Sequence, residues 1–214
     1  QQHIREVMME NDFENALRNE EFEVWFQPKY NVQTEKIAGA EALVRWKHPE
    51  RGMISPGEFI PVFERNGFIT KLDYYVWEQT CIQLRRWLDE GKQPLPISVN
   101  LSRISLYNKE VVEVICDLVD KYQIPRSLFQ VELTESAYNT NPKAVQEMMQ
   151  RLREEGFYIL MDDFGSGYSS LNVLKDIVVD VLKMDMKFFS GDDKEGRGEN
   201  IMAAVIRMAK RLNM

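Results

Sequence analysis

Phe157-Tyr158-Ile159-Leu160-Met161-Asp162-Asp163-Phe164-Gly165-Ser166-Gly167-Tyr168-Ser169-Ser170-Leu171 sets an apolar run directly before two adjacent carboxylates and a Gly-Ser loop. Such a run predicts a strand buried on both faces, as in parallel sheets covered by helices. The loop predicts the turn from that strand into a helix. Two anionic side chains at the end of a buried strand are costly unless cations meet them there. In barrels and open α/β sheets the carboxyl ends of strands are where ligands bind. Asp162 and Asp163 are therefore candidate metal ligands, with partners expected on other strands.

Upstream, residues 22–30 (FEVWFQPKY) predict a strand ended by Pro28, and residues 37–46 predict another. The short polar stretch between them predicts an antiparallel hairpin. A loop with Pro49, Gly52, Pro56 and Gly57 leads to a short helix, Glu58–Arg65. A longer helix with Leu72, Val76, Leu84, Trp87 and Leu88 on one side stops at Gly91. Strands over Pro96–Ser102 and Leu128–Thr134 flank a helix carrying Val111, Val112, Ile115, Leu118, Val119 and Tyr122. Asn141-Pro142 starts the next helix and Gly156 stops it. Beyond the Gly-Ser loop come a short helical stretch, a strand over Val178–Asp185, a charged loop over Ser190–Asn200 and a last helix, Ile201–Leu212.

Repetition of strand-then-helix predicts a largely parallel sheet beyond the hairpin. Six strands are expected, two short of a closed (β/α)8 barrel. Residues 1–21 are polar, with Met8, Met9, Phe13 and Leu17 at helical spacing. They predict a helical lead-in or linker from an upstream domain, before a domain over 22–214 that lacks its last two strands.

A hydrophobic fraction of 44% in 214 residues is enough for a sizeable core. No apolar run approaches the length of a membrane span, and no signal-peptide pattern opens the chain. Cys81 and Cys116 predict buried free thiols, consistent with a reducing compartment. A net charge of −7 argues against nonspecific binding to a nucleic-acid polymer, though not against one small phosphorylated ligand held through cations. With two histidines, His3 and His48, a Ser-His-Asp triad or a His-rich zinc site is poorly supplied. Plentiful carboxylates and amides suit Mg²⁺ or Mn²⁺.

Glu41, Asn100, Glu132, Asp162 with Asp163, and Lys183 with Asp185 fall in or at the ends of five different predicted strands. Alternation puts Glu41, Leu43 and Arg45 on one face. A single acid at a strand end is ordinarily a helix cap or a partner for a surface lysine. Five strands doing so together favour convergence on a metal cluster. Arg45 and Lys183 read as charge balance for the carboxylates, with phosphate contact an equal reading for Arg45, and Gln27 alone is uninformative. The Gly-Ser loop lacks the Gly-Lys-Ser/Thr ending of a P-loop. Asp163-Phe164-Gly165 matches a kinase triplet, but no His-Arg-Asp loop or Val-Ala-Ile-Lys strand accompanies it.

Glu41-Ala42-Leu43-Val44-Arg45-Trp46, Val99-Asn100-Leu101-Ser102, Glu132-Leu133-Thr134-Glu135-Ser136, Asp162–Ser170 and Leu182-Lys183-Met184-Asp185 together resemble the EAL-domain cyclic-di-GMP phosphodiesterases. Gln27-Pro28 and Phe59-Ile60-Pro61 fit the same pattern. The resemblance covers about residues 22–214 and implies a modified TIM barrel with one antiparallel strand, the second. It implies two Mg²⁺ or Mn²⁺ ions and hydrolysis of cyclic-di-GMP to linear pGpG. By matching positions, Glu41, Asn100, Glu132 and Asp162 would ligate one metal, and Asp162 and Asp163 a second. Lys183 would orient or help activate the attacking water, with Glu41 and Asp163 completing the catalytic set. Gln27, Leu43 and Arg45 would contact substrate, and Glu135 would anchor the loop 164–170, which in this family is coupled to a dimer contact. A homodimer through this domain and an upstream GGDEF or sensor domain are further expectations. So is a cytoplasmic location, alone or as the cytoplasmic part of a membrane-attached protein.

A water held by two cations about 4 Å apart loses its proton readily, in a scheme that uses oxygen ligands and no histidine. The family's Ala-Glu-Gly-Val-Glu-like seventh-strand motif and its Gln-Gly-Tyr segment do not occur in these 214 residues. The barrel is accordingly expected to be incomplete at its C-terminal side, with activity of the chain alone in question. The alternative is a receptor that binds cyclic-di-GMP without hydrolysing it; the intact ligand set favours the enzyme. A barrel glycosidase using Glu132 explains neither Asn100 nor the paired aspartates.

Overall fold

The computed structural model describes residues 2–165, 175, 177–185 and 197–214. The chain falls into two compact units, Gln1–Gln130 and Val131–Met214. Ser166–Ser170, most of the short helical stretch after them and most of the charged loop lie outside the described residues.

In the first unit, helix α1 (Gln2–Arg18) precedes strands β1 (Phe22–Tyr30), β2 (Ile37–His48) and β3 (Gly52–Ile54). Helices α2 (Pro56–Asn66) and α3 (Ile69–Asp89) lead to β4 (Ile97–Asn100) and α4 (Val111–Lys121). The predicted hairpin is present, with Gln27 opposite Glu41, Trp25 opposite Leu43 and Glu23 opposite Arg45. β2 pairs in parallel with β4 after the α2–α3 crossover, with Glu41 aligned on Ser98. The second strand therefore runs with the next one, and the reversed strand is the first; this corrects the expectation. The physical reason is the short 31–36 turn, which can only reverse the chain between β1 and β2. β3 was not anticipated: three residues pair antiparallel with the end of β2, too few to leave a periodic signal.

Gly39 shows how closely β2 and β4 approach. A Cβ there would lie 2.7 Å from the Pro96 carbonyl oxygen, the oxygen that accepts the Ala40 amide at 3.0 Å. α1 contributes Met9, Phe13 and Ala16 to a buried cluster with Phe22, Trp46, Phe59, Val62, Phe63 and Leu72. Phe13 stacks on Phe68 at 4.8 Å and tilts against Phe63 at 4.7 Å. Rings at these separations add roughly 0.5–1.5 kcal/mol per pair beyond the area they bury.

The second unit takes in most of β5 (Phe129–Thr134), then α5 (Glu135–Thr140), α6 (Pro142–Glu154), β6 (Tyr158–Phe164), β7 (Val181–Met184) and α7 (Arg197–Arg211). β6 and β7 are parallel. Ile159, Leu160 and Met161 are consecutive and all buried, as a strand covered on both faces requires. Val145, Met148, Met149 and Leu152 form the apolar stripe of α6, and Asn141 caps that helix by accepting the Ala144 amide. α5 was not anticipated; Thr134 caps it through the Ala137 amide. α7 begins four residues before the expected Ile201.

Candidate metal and phosphodiester site

In the first unit, Asn100 sits at the end of β4 and its Nδ2 donates to Glu41 Oε1 at 3.1 Å. That leaves the side-chain oxygen of Asn100, Oδ1, as the atom suited to a cation. The loop after Asn100 is held from one face of α3. Trp77 Nε1 donates to the Asn100 carbonyl at 3.0 Å. One turn earlier, Asp73 Oδ2 accepts the Ser102 amide at 3.1 Å and the Ser105 hydroxyl at 2.7 Å. Asp73 is buried, which pushes its carboxyl up to about 6 even though the bonds from Ser102 and Ser105 pull it down. Sequence reasoning missed both residues. The available signal was an acid on the apolar stripe Ile69, Leu72, Val76, Trp77 of α3.

Glu41, Leu43 and Arg45 share one face, opposite Gln27, Trp25 and Glu23, as strand alternation predicts. Gln27 is exposed, whereas Glu41, Leu43 and Arg45 are half-buried. Arg45 lies 5.7 Å from the centre of the Trp25 ring.

In the second unit, Glu132 is fully buried in β5 and ion-pairs with Lys183 of β7. Lys183 Nζ also lies 3.0 Å from Asp162 Oδ2. Carboxylate oxygens of Glu132 and Asp162 lie within 4.8 Å of each other, close enough for one cation to bind both. Burial works to raise the Asp162 carboxyl, but Lys183 and the Asp163 amide together hold it below its usual value.

Strict alternation would send Asp162 and Asp163 to opposite faces. The β6–β7 register shifts between Met161 and Phe164, and Asp163 adopts φ 55°, so the strand is irregular at the acidic pair. The Asp163 amide turns back to Asp162 Oδ1 at 2.8 Å. Aspartate tolerates this left-handed conformation better than most side chains. Glu135, buried at the start of α5, accepts the Gly165 amide through Oε2 at 2.9 Å, at the head of the Gly-Ser loop. Asp185 follows β7, its amide bonded to the Phe164 carbonyl at 3.1 Å. Within each unit the donors are hard oxygens of the kind that Mg²⁺ and Mn²⁺ prefer, so the residues fit the implied metals.

Parallel strands joined by helices, with oxygen donors gathered at strand ends, define an α/β chain of the TIM-barrel type. It matches the EAL domain over residues 10–214 and belongs to the EAL-domain family. It is 36% identical over 199 residues to the signaling protein YkoW of Bacillus subtilis, covering 93% of this chain and 25% of that one. The cyclic di-GMP phosphodiesterase NbdA of Pseudomonas aeruginosa is 33% identical, over 98% of this chain and 27% of its own length. The PaMucR phosphodiesterase, solved as a c-di-GMP complex, superposes with a TM-score of 0.88 at 31% identity, covering 97% of this chain and 84% of that one. The chain spans about a quarter of the length of these two curated relatives.

Proposed function

We propose that this chain is the catalytic domain of a metal-dependent phosphodiesterase that opens one phosphodiester bond of cyclic-di-GMP to give linear pGpG. The observation that carries the proposal is the Glu132–Lys183–Asp162 arrangement at strand ends, in a chain of this family. Glu41, Asn100, Glu132, Asp162 and Asp163 supply oxygen ligands for two Mg²⁺ or Mn²⁺ ions. When bound, such ions acidify a water and offset charge on the phosphate. Lys183 fixes the orientation of Glu132 and Asp162 and offers an N–H donor toward the attacking water. Arg45 and Gln27 hold the substrate's phosphate and polar edges, Leu43 gives an apolar contact, and Glu135 holds the start of the 164–170 loop.

Cyclic-di-GMP is the partner, in second-messenger signalling in the cytoplasm. A homodimer and an upstream GGDEF or sensor domain complete the proposal for the whole protein. Among the described residues, no helix is long and apolar enough to cross a membrane.

Incubating the full-length protein with cyclic-di-GMP and Mg²⁺ or Mn²⁺ tests this directly. The expected result is pGpG that appears with metal, stops with EDTA and is lost in Glu41→Ala and Asp162→Ala. Tight binding without pGpG would replace the enzyme by a receptor.

A further inference from the structure

Of the tryptophans in the first unit, Trp46 and Trp77 are buried, yet Trp25 leaves 53% of its surface exposed. Burying such a ring is ordinarily favourable by a few kcal/mol, so its exposure on a strand calls for a reason. Alternation along β1 puts Trp25 on the same face as Gln27, and the hairpin register puts it opposite Leu43. Its diagonal neighbours across the hairpin are Glu41 and Arg45. The indole therefore stands among residues assigned above to metal and substrate.

The ring is also fixed. Glu23 Oε2 accepts the indole N–H at 3.0 Å, and the Arg45 guanidinium lies 5.7 Å from the ring centre. A ring held at its N–H and beside a cation loses little conformational freedom when a ligand stacks on it. Arg45 is held separately, its Nη1 donating to the Val44 carbonyl at 2.9 Å, so its guanidinium stays placed for a phosphate without the ring.

We infer that Trp25 is a stacking platform for one guanine ring of the bound cyclic dinucleotide, with Arg45 beside it taking the adjoining phosphate. The inference rests on the phosphodiester reading above and adds a base-recognition contact to it. Stacking of a base on an aromatic side chain tolerates any purine, so Trp25 contributes affinity for a nucleotide over a simple phosphodiester.

The test uses full-length protein and separates binding from turnover. Cyclic-di-GMP binding is measured calorimetrically in EDTA. In parallel, hydrolysis of cyclic-di-GMP and of bis(p-nitrophenyl) phosphate, which carries no purine, is followed with Mg²⁺ or Mn²⁺. Trp25→Ala is expected to weaken cyclic-di-GMP binding by about tenfold to a hundredfold and to raise KM similarly, with Trp25→Phe recovering most of the loss. Cleavage of the purine-free ester should stay within twofold of the parent. Binding by Trp25→Ala within twofold of the parent would overturn the inference and leave the phosphodiesterase reading standing. A parent that binds, loses affinity on Trp25→Ala and yet makes no pGpG would keep Trp25 and overturn the hydrolase. A parent that binds no cyclic-di-GMP in EDTA and makes no pGpG with Mg²⁺ or Mn²⁺ would overturn both.

Discussion

Lys183 places its ammonium 3.0 Å from Asp162 and against Glu132, a carboxylate with no exposed surface. Removing one partner of a buried ion pair costs more than the pair contributes, because the remaining charge has lost its water as well. Lys183→Met should therefore destabilise the metal-free protein by about 3–5 kcal/mol in urea unfolding. Adding Glu132→Gln should recover part of that loss, and so should Mg²⁺ or Mn²⁺, which bring positive charge back to the same carboxylates. A Lys183→Met protein as stable as the parent in EDTA would show that the ion pair does not hold these strands.

Asp73 carries a prediction about pH. Burial raises its carboxyl from the usual 3.8 to about 6. The folded state then holds the proton more tightly than the unfolded chain, so this contribution is complete below about pH 4 and is lost as pH rises through about 6. A displacement of that size corresponds to roughly 3 kcal/mol. Asp73→Asn keeps an oxygen for Ser102 and Ser105 and cannot ionise. The stability of the parent relative to Asp73→Asn should fall by on the order of 2–3 kcal/mol between pH 4 and 7. Urea unfolding at the two pH values is the measurement, and a pH-independent difference would sink the claim.

Much of this architecture was legible because its signals are periodic. The alternation around Glu41, Leu43 and Arg45 and the continuous apolar run Ile159–Met161 leave few other ways to fold. What was not legible depends on contacts distant in sequence or on very short elements. β3 has three residues, and α5 follows β5 without a linker that could announce it. Asp73 reads as an error on an apolar helix face until Ser102 and Ser105 are found against it. The irregularity at Asp162-Asp163 is set by pairing with β7, and no local propensity encodes it.

That irregularity can be probed at Asp163, whose φ of 55° suits Asp, Asn or Gly and strains a β-branched side chain. Asp163→Asn and Asp163→Gly should unfold within about 1 kcal/mol of the parent, whereas Asp163→Val should lose about 1–3 kcal/mol. All three lack the second carboxylate and should lose pGpG formation alike. Full activity in Asp163→Gly would remove this residue from the metal site while leaving its backbone role intact.

α1 offers the last test, because its two ends differ. Phe13 has no exposed surface and meets Phe22, Phe63 and Phe68, while Ile4 is 73% exposed. A helix that served only as a tether would tolerate both truncations equally. Phe13→Ala instead empties a site walled by aromatic rings that cannot close over it, at a cost of about 3–5 kcal/mol. Ile4→Ala removes atoms that water already reaches and should change stability by less than about 0.5 kcal/mol. Phe22 at the head of β1 lies in the same cluster, so the loss should also weaken protection of the β1–β2 amides in hydrogen exchange, from Phe22–Trp46 outward. Equal effects from the two substitutions would make α1 an appendage of the unit.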